Sequence, residues 1–196
     1  MCCAISSAKR YGGQPKDYEA IHDWFDATNQ MWVNPSPNMR DLNQATLYTG
    51  VAIVEGTNVS VGRGTDTPFE LLGAPWIKAR EFADYLNGRM IPGVRFIPTS
   101  FTPTGVKYEK QLCQGVNLVV TDRQALDAPL LGAELAAALM KLYPNDFKSE
   151  RVIRLLGNKA AFASLVAGQD PRRVADDWRE GLEEFMKVRS KYLIYK

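Results

Sequence analysis

From residue 128 onward, apolar side chains recur every three or four positions, whereas the chain before it breaks into short apolar runs separated by glycine, proline and asparagine. That contrast predicts a strand-bearing first part and a helical C-terminal third. Ala128 to Tyr143 sets Leu131, Leu135, Ala138, Leu139 and Leu142 on one helical stripe, stopped by Pro144. Lys159 to Val166 predicts a further helix, ended by Gly168. Asp170-Pro171 then opens the last helix with an N-cap and a proline at its first position. Val174, Trp178, Leu182 and Phe185 are its expected buried stripe, while Arg151 to Leu156 is short and apolar and of open type.

Upstream, Leu112 to Asp122 carries Val116, Leu118 and Val120 on one face and is the clearest strand in the chain. Gly93 to Pro98 alternates apolar with polar before a proline, which predicts a strand at a sheet edge. Lys78 to Asn87 is expected to be a helix with Phe82, Tyr85 and Leu86 inward, stopped at Gly88. Arg40 to Leu47 predicts a short helix ended at Gly50, and Val51 to Val54 a short buried strand. Two prolines, Pro35 and Pro37, forbid helix between Trp32 and Arg40. That segment is a stiff connector with Asn38 capping the next helix, or a rigid loop presenting Asn34 and Asn38 to a ligand. Asp17 to Thr28 spaces Ile21, Trp24 and Phe25 as a short amphipathic helical turn. The order predicts an α/β (mixed α+β) fold, a short mixed sheet with helices packed on it.

Composition narrows the function classes. Of 196 residues, 24 are basic and 22 acidic, and they are spread along the chain, which argues against a nucleic-acid surface. The dense basic spots, Arg172-Arg173 and Lys187 to Lys191, are expected to be solvated helix faces. Cys2, Cys3 and Cys113 give an odd count with no disulfide framework, and His22 alone cannot build a multi-histidine metal site. No apolar run approaches the ~20 residues that span a membrane, and Met1 to Ser7 lacks the apolar core of an export signal. The opening residues, through Tyr11-Gly12-Gly13-Gln14-Pro15, look disordered, and the chain is expected to begin inside a larger protein.

The candidate chemistry lies in Glu55 to Phe69, where three glycines are interleaved with Glu55, Asn58, Arg63 and Asp66. Glycine lets a backbone turn freely and pass close to a ligand. Glu55, expected at the end of the Val51 strand, and Asp66 are candidate acid/base carboxylates, since two carboxylates bracketing a glycosidic bond can hydrolyse it. Arg63 can clamp a carboxylate or phosphate, and Asn58 and Thr65 can bond hydroxyls or an N-acetyl group. The same residues equally allow a loop that satisfies itself, with Glu55 pairing Arg63 and Asp66 capping a turn. Gly62-x-Gly64 lacks the third glycine and the helix start of a dinucleotide site, so nucleotide binding is disfavoured.

Trp32-Val33-Asn34-Pro35-Ser36-Pro37-Asn38-Met39, Glu55 to Thr65, Pro68-Phe69, Gly73-Ala74-Pro75-Trp76, Phe101-Thr102-Pro103, Cys113-Gln114-Gly115-Val116 and Tyr192-Leu193-Ile194-Tyr195 follow one another in order. Together they resemble the bacterial DUF1343 family of NamZ-type exo-β-N-acetylmuramidases, from about Trp24 to the end. The resemblance implies a glycoside hydrolase that removes N-acetylmuramic acid from non-reducing ends of peptidoglycan fragments; no cofactor is expected, and no residue is singled out as a metal ligand. Members pair a Rossmann-like N-terminal domain with a smaller C-terminal one around a cleft, and only the C-terminal portion is matched here. Residues 1–18 are thus expected to lie outside the family and 19–196 to form one C-terminal domain. The implied partners are a MurNAc-GlcNAc sugar and the absent N-terminal domain. In that setting Arg63 would meet the lactyl carboxylate, and Trp32 or Trp76 would stack on the sugar. The alternatives are a non-catalytic sugar-binding module or an inactive gene fragment. Members are commonly periplasmic or secreted, and this sequence leaves localisation open.

Overall fold

A computed structural model describes residues 31–192. The predicted helical turn at Asp17 to Thr28, Cys2, Cys3 and His22 lie outside the described residues. The chain divides into two compact units, Asn43–Trp178 and a second made of the flanking segments Met1–Leu42 and Arg179–Lys196.

The first helix, α1 (Leu42–Glu55), lies in the larger unit from Asn43 on and overturns two expectations at once. The helix runs straight through Gly50, and Val51 to Val54 is its last turn rather than a strand. A four-residue apolar run does not distinguish a buried strand from a helix packed on more than one side. Leu47, Val51 and Val54 are fully buried, and tertiary contact has overridden the β preference of the two valines. Gly50 serves as a crossing point: a Cβ there would lie 2.2 Å from the carbonyl oxygen of Ala128. Gly132 answers it, since a Cβ there would lie 2.6 Å from the oxygen of Gly50. Ala128 and Gly132 belong to α3 (Ala128–Leu142), so the two helices meet backbone to backbone.

Three strands form the sheet, β2 (Val94–Phe101) and β3 (Cys113–Val120) at the expected positions and β1 (Leu71–Ala74) where no strand is predicted, in the order β1-β3-β2. Both pairings are antiparallel, with Leu72 opposite Val116 and Phe96 opposite Leu118. Val116, Leu118, Phe96 and Leu72 are buried on one face, and α2 (Ala79–Gly88) packs against β2 and β3. The mixed α/β architecture is thus a small antiparallel sheet with a helix packed on it and further helices joined to that one.

β2 is an edge strand, as Pro98 predicted. The Phe96 amide and carbonyl are bound by the side chain of Asn87, at 3.1 and 2.7 Å, instead of by β3. Pro98 shares that outward parity, so its missing N–H costs the ladder nothing. The opposite edge is closed by Ser60, whose amide and carbonyl bond those of Gly73 at 2.8 and 2.9 Å.

α2 carries Phe82 and Leu86 inward as expected, but its exit differs: Gly88 keeps a right-handed backbone and the left-handed turn falls on Met90 (φ 51°). Arg151 to Leu156 resolves into a 3₁₀ turn (Ser149–Arg151) and α4 (Ile153–Leu156). α5 (Lys159–Val166) is capped by Asn158, whose side chain accepts from the Ala161 amide at 3.0 Å. α6 (Pro171–Asp177) starts on the predicted Asp170 cap. Ala133, Ala161, Leu165 and Val174 form a second core between α3, α5 and α6.

A buried charge joins these helices. Glu134 on α3 is 1% exposed and takes two hydrogen bonds from Arg89, at 2.7 and 2.8 Å. Arg89 also reaches both carboxylate oxygens of Asp170 at 3.0 Å. The bidentate Glu134 contact raises the guanidinium pKa further above its already high ordinary value. The Arg172 amide, then Arg89, holds Asp170 below its usual range. Arg172 is therefore more than a solvated residue, since its guanidinium bonds the carbonyl of Arg89.

In the smaller unit, Ser36 to Met39 forms a turn closed by a 3.0 Å Met39-to-Ser36 backbone bond. Asn38 lies inside that turn and does not cap a helix, because α1 starts only at Leu42. The expected last stripe breaks after Trp178. α7 (Arg179–Ser190) is a separate helix, and Leu182 and Phe185 are 53% and 58% exposed.

Candidate functional site

α1 ends on Glu55, and the loop that follows is built to turn back tightly. The Thr57 amide and hydroxyl both bond the Val54 carbonyl, at 3.1 and 2.6 Å, which closes the helix. Val59 and Val61 are buried, and the Phe69 amide returns to the Val61 carbonyl at 2.8 Å. Between those two pins Gly62 and Gly64 take left-handed backbones (φ 75° and 82°), as the glycine pattern requires. Gly64 faces a second constraint, since a Cβ would lie 2.7 Å from the Gly105 oxygen.

That geometry brings Arg63 back over the end of α1, where its guanidinium Nε pairs with the Glu55 carboxylate. The same guanidinium lies over the Phe69 ring, 5.4 Å from its centre, and Phe69 packs edge-on against Tyr48 at 5.0 Å. Phe69 itself is fully buried with a left-handed backbone (φ 67°), a strained conformation that only its surroundings hold in place. Among the described residues Glu55 is the ion-pair partner of Arg63. Both side chains keep partial exposure, 25% and 34%. They line a cavity of about 160 Å³ together with Val59, Ser60, Val61, Val106 and Lys107.

The cavity's other side has no counterpart among the motifs read from the sequence. Pro103 to Gln111 is a strap lying across the loop. The Thr104 amide and hydroxyl both bond the Gly64 carbonyl at 2.8 Å. The Lys107 ammonium bonds the carbonyls of Glu55 at 2.9 Å, Val59 at 3.0 Å and Thr57. Burial lowers the Lys107 pKa, Arg151 adds to that, and Glu55 opposes it. The Tyr108 hydroxyl donates to the Asn58 carbonyl at 2.7 Å and accepts from the Trp76 indole at 3.2 Å.

The structure therefore sorts the candidate residues. Glu55 and Arg63 meet at the cavity. Asp66 sits in the same loop but is exposed and outside the cavity lining. The Asn58 amide bridges the Asp146 carbonyl and the Lys148 amide, both at 2.8 Å, holding the 146–148 turn. The Thr65 hydroxyl donates to the Gly62 carbonyl at 2.6 Å and braces the loop. Trp76 is half-buried, edge-on to Tyr143 at 5.4 Å. Trp32 and Asn34 lie in the smaller unit, joined by a 3.0 Å bond from the indole to the Asn34 side chain, and Asn38 lies in its turn. Cys113 is fully buried as expected, and burial pushes its thiol up to about 11. Among the described residues no cluster of three or more His, Cys, Asp and Glu could hold a metal ion. No described helix is long and apolar enough to cross a membrane.

Comparison with known proteins bears on this arrangement. Residues 46–195 match the family model described as exo-β-N-acetylmuramidase NamZ, C-terminal. Residues 1–79 match a domain of unknown function, DUF6915. The chain is 40% identical over 174 residues to the peptidoglycan β-N-acetylmuramidase NamZ of Bacillus subtilis (strain 168), covering 87% of this chain and 42% of that protein. It therefore spans less than half the length of that relative. A DUF1343 protein from Bacteroides fragilis, BF0371, superposes with a TM-score of 0.68 at 25% identity, over 88% of this chain and 47% of the other. A second one, BF0379, shares the fold with a TM-score of 0.62 at 23% identity, over 86% and 46%.

Proposed function

Because the chain belongs to the C-terminal family of the exo-β-N-acetylmuramidase NamZ, we propose that it supplies one wall of a muramyl-sugar site, with Arg63 and Glu55 as the groups that meet the ligand. The observation that carries this reading is the Glu55–Arg63 pair at the cavity. A guanidinium has five donors in a rigid fork, and Arg63, while ion-paired with Glu55, keeps about a third of its side chain exposed. A ligand carboxylate, such as the lactyl group of N-acetylmuramic acid, can meet that exposed part in a charge-assisted contact.

Hydrolysis of a glycosidic bond in most glycosidases uses two carboxyl groups across it, and the cavity lining holds one, Glu55. On this reading the acid/base partner comes from outside this wall, and Asp66 becomes a candidate only if the loop moves. Asn58 and Thr65 act by bracing the loop, and Trp76 holds the strap through Tyr108. The single carboxylate also favours a second reading, in which the isolated chain binds muramyl sugars and does not cleave them.

The test uses MurNAc-GlcNAc with the chain alone and with the remaining part of a full-length family member fused ahead of it. Release of MurNAc only by the fusion, lost in Glu55→Gln and reduced in Arg63→Ala, supports the shared-site reading. Activity that survives both substitutions overturns it. Calorimetric binding of MurNAc by the chain alone, without turnover, identifies the binding module.

A further inference from the structure

Resting on the assignment of Glu55 and Arg63 to the site, we propose that Lys107 is its positioning residue. It is a lysine delivered by a strained strap to fix the end of α1 and so set the Glu55 carboxylate against Arg63.

An ammonium has three N–H donors, and Lys107 uses all three on the carbonyls of Glu55, Thr57 and Val59. The Glu55 carbonyl ends α1 and those of Thr57 and Val59 follow it, where a helix leaves acceptors without intrahelical partners and its dipole favours a cation. The lysine is a C-terminal cap brought from about fifty residues away. It binds the main chain of Glu55 and leaves the carboxylate to Arg63, so it acts through Glu55 and not on a ligand.

The residues on either side of Lys107 show that its placement is enforced. Val106 and Tyr108 both take left-handed backbones (φ 67° and 60°), and Lys110 a third (φ 59°). A non-glycine residue there costs on the order of 1–3 kcal/mol and persists only where surrounding contacts over-determine it. The contacts are present: Thr104 bonds Gly64 on one side, Tyr108 bonds Asn58 on the other, and Val106 remains 76% exposed. A strap needed only to cover the loop would bury its valine and relax its backbone. This one instead turns the valine out and the lysine in.

A lysine that merely stabilises the fold would affect melting alone, so the test reads the geometry of the pair. The Arg63 side-chain Nε–H resonance is followed by NMR in the full chain, well below the melting temperature, with the Arg89 Nε–H on Glu134 as internal control. In Lys107→Met the Arg63 resonance is expected to lose its paired position while that of Arg89 stays. An unchanged Arg63 resonance in the folded variant overturns the proposal. Should the methionine variant fail to fold, Lys107→Arg is read in the same way. It keeps charge and stem, but its planar fork cannot meet three converging carbonyls. A parallel titration with N-acetylmuramic acid separates the two readings. If wild type binds and Lys107→Met binds about tenfold more weakly, both stand. If wild type does not bind, the binding-module reading fails, the shared-site reading is decided by the fusion assay, and the Arg63 resonance still decides the role of Lys107.

Discussion

Replacing Gly50 by alanine sets a local preference against a tertiary one, and the structure says which wins. Gly50 is in the interior of α1, where alanine favours the helix by about 1 kcal/mol. The new Cβ would lie 2.2 Å from the Ala128 carbonyl oxygen, 3.1 Å from its carbon and 3.3 Å from the Gly132 amide nitrogen. An ordinary carbon–oxygen contact is roughly 1 Å longer than the first of these, and all three atoms are backbone, so no rotamer change relieves it. α3 must move away from α1, loosening buried neighbours on both helices, including Val51, Val54 and Leu131. Overpacking of this kind costs about 1–3 kcal/mol, more where backbone must shift. The net expectation is a loss of ~1–2 kcal/mol, which for a domain this size lowers the midpoint of thermal unfolding by about 2–8 °C. Circular dichroism at 222 nm measures it. Gly88→Ala is the control, because nothing lies within 4 Å of a Cβ there and its backbone is right-handed. If Gly50→Ala melts at or above wild type, the close crossing of α1 and α3 is refuted.

Two further outcomes follow from the buried polar groups. Glu134→Ala leaves Arg89 with Asp170 alone, so urea unfolding should show a loss of about 3 kcal/mol, the lower end for breaking a buried pair. An effect below ~1 kcal/mol would show that the pair adds little to stability. Cys113 sets an alkaline arm: its folded thiol titrates near 11 against an ordinary 9.0, so the native state holds its proton longer than the unfolded chain. The associated stability is fully present below about pH 9 and is lost as pH rises to about 11, amounting to ~3 kcal/mol. Lys107 acts with the opposite sign as pH rises from its lowered pKa toward 10.5, but it is common to both proteins. Cys113→Ala should therefore fall less steeply than wild type between those limits, and parallel curves would contradict the assignment.

Sequence alone located β2, β3, the long α3, the Asp170 cap and the polar loop, because each rests on periodicity or on a residue with one dominant local role, whereas the four-residue β1 is too short to carry such a signal. It misread α1, since Val51 to Val54 is apolar on every side and a glycine inside a helix looks like a stop until another helix is seen against it. It also extended the last stripe past Trp178, because spacing alone does not show that α7 belongs to another unit. Within the site, Glu55 and Arg63 were legible from the glycine-rich loop. The strap was not: its left-handed residues are valine, tyrosine and lysine, which carry no local signal for that conformation. Its bonds to the loop span 40 to 52 residues. Asn58 and Thr65 look like ligand groups in one dimension, and only the fold shows what their side chains hold.

The Ser60–Gly73 pairing gives the candidate loop a second duty. Unpaired strand edges recruit strands from other molecules. Asn87 and Pro98 guard one side of this sheet, while the other is closed by the loop itself. A substitution that lifts the loop would uncover the backbone of β1 as well as disorder Glu55 and Arg63. Inactive loop variants will then divide into those that stay dispersed and those that aggregate. Light scattering alongside every activity measurement separates the two, and only the dispersed class reports on chemistry.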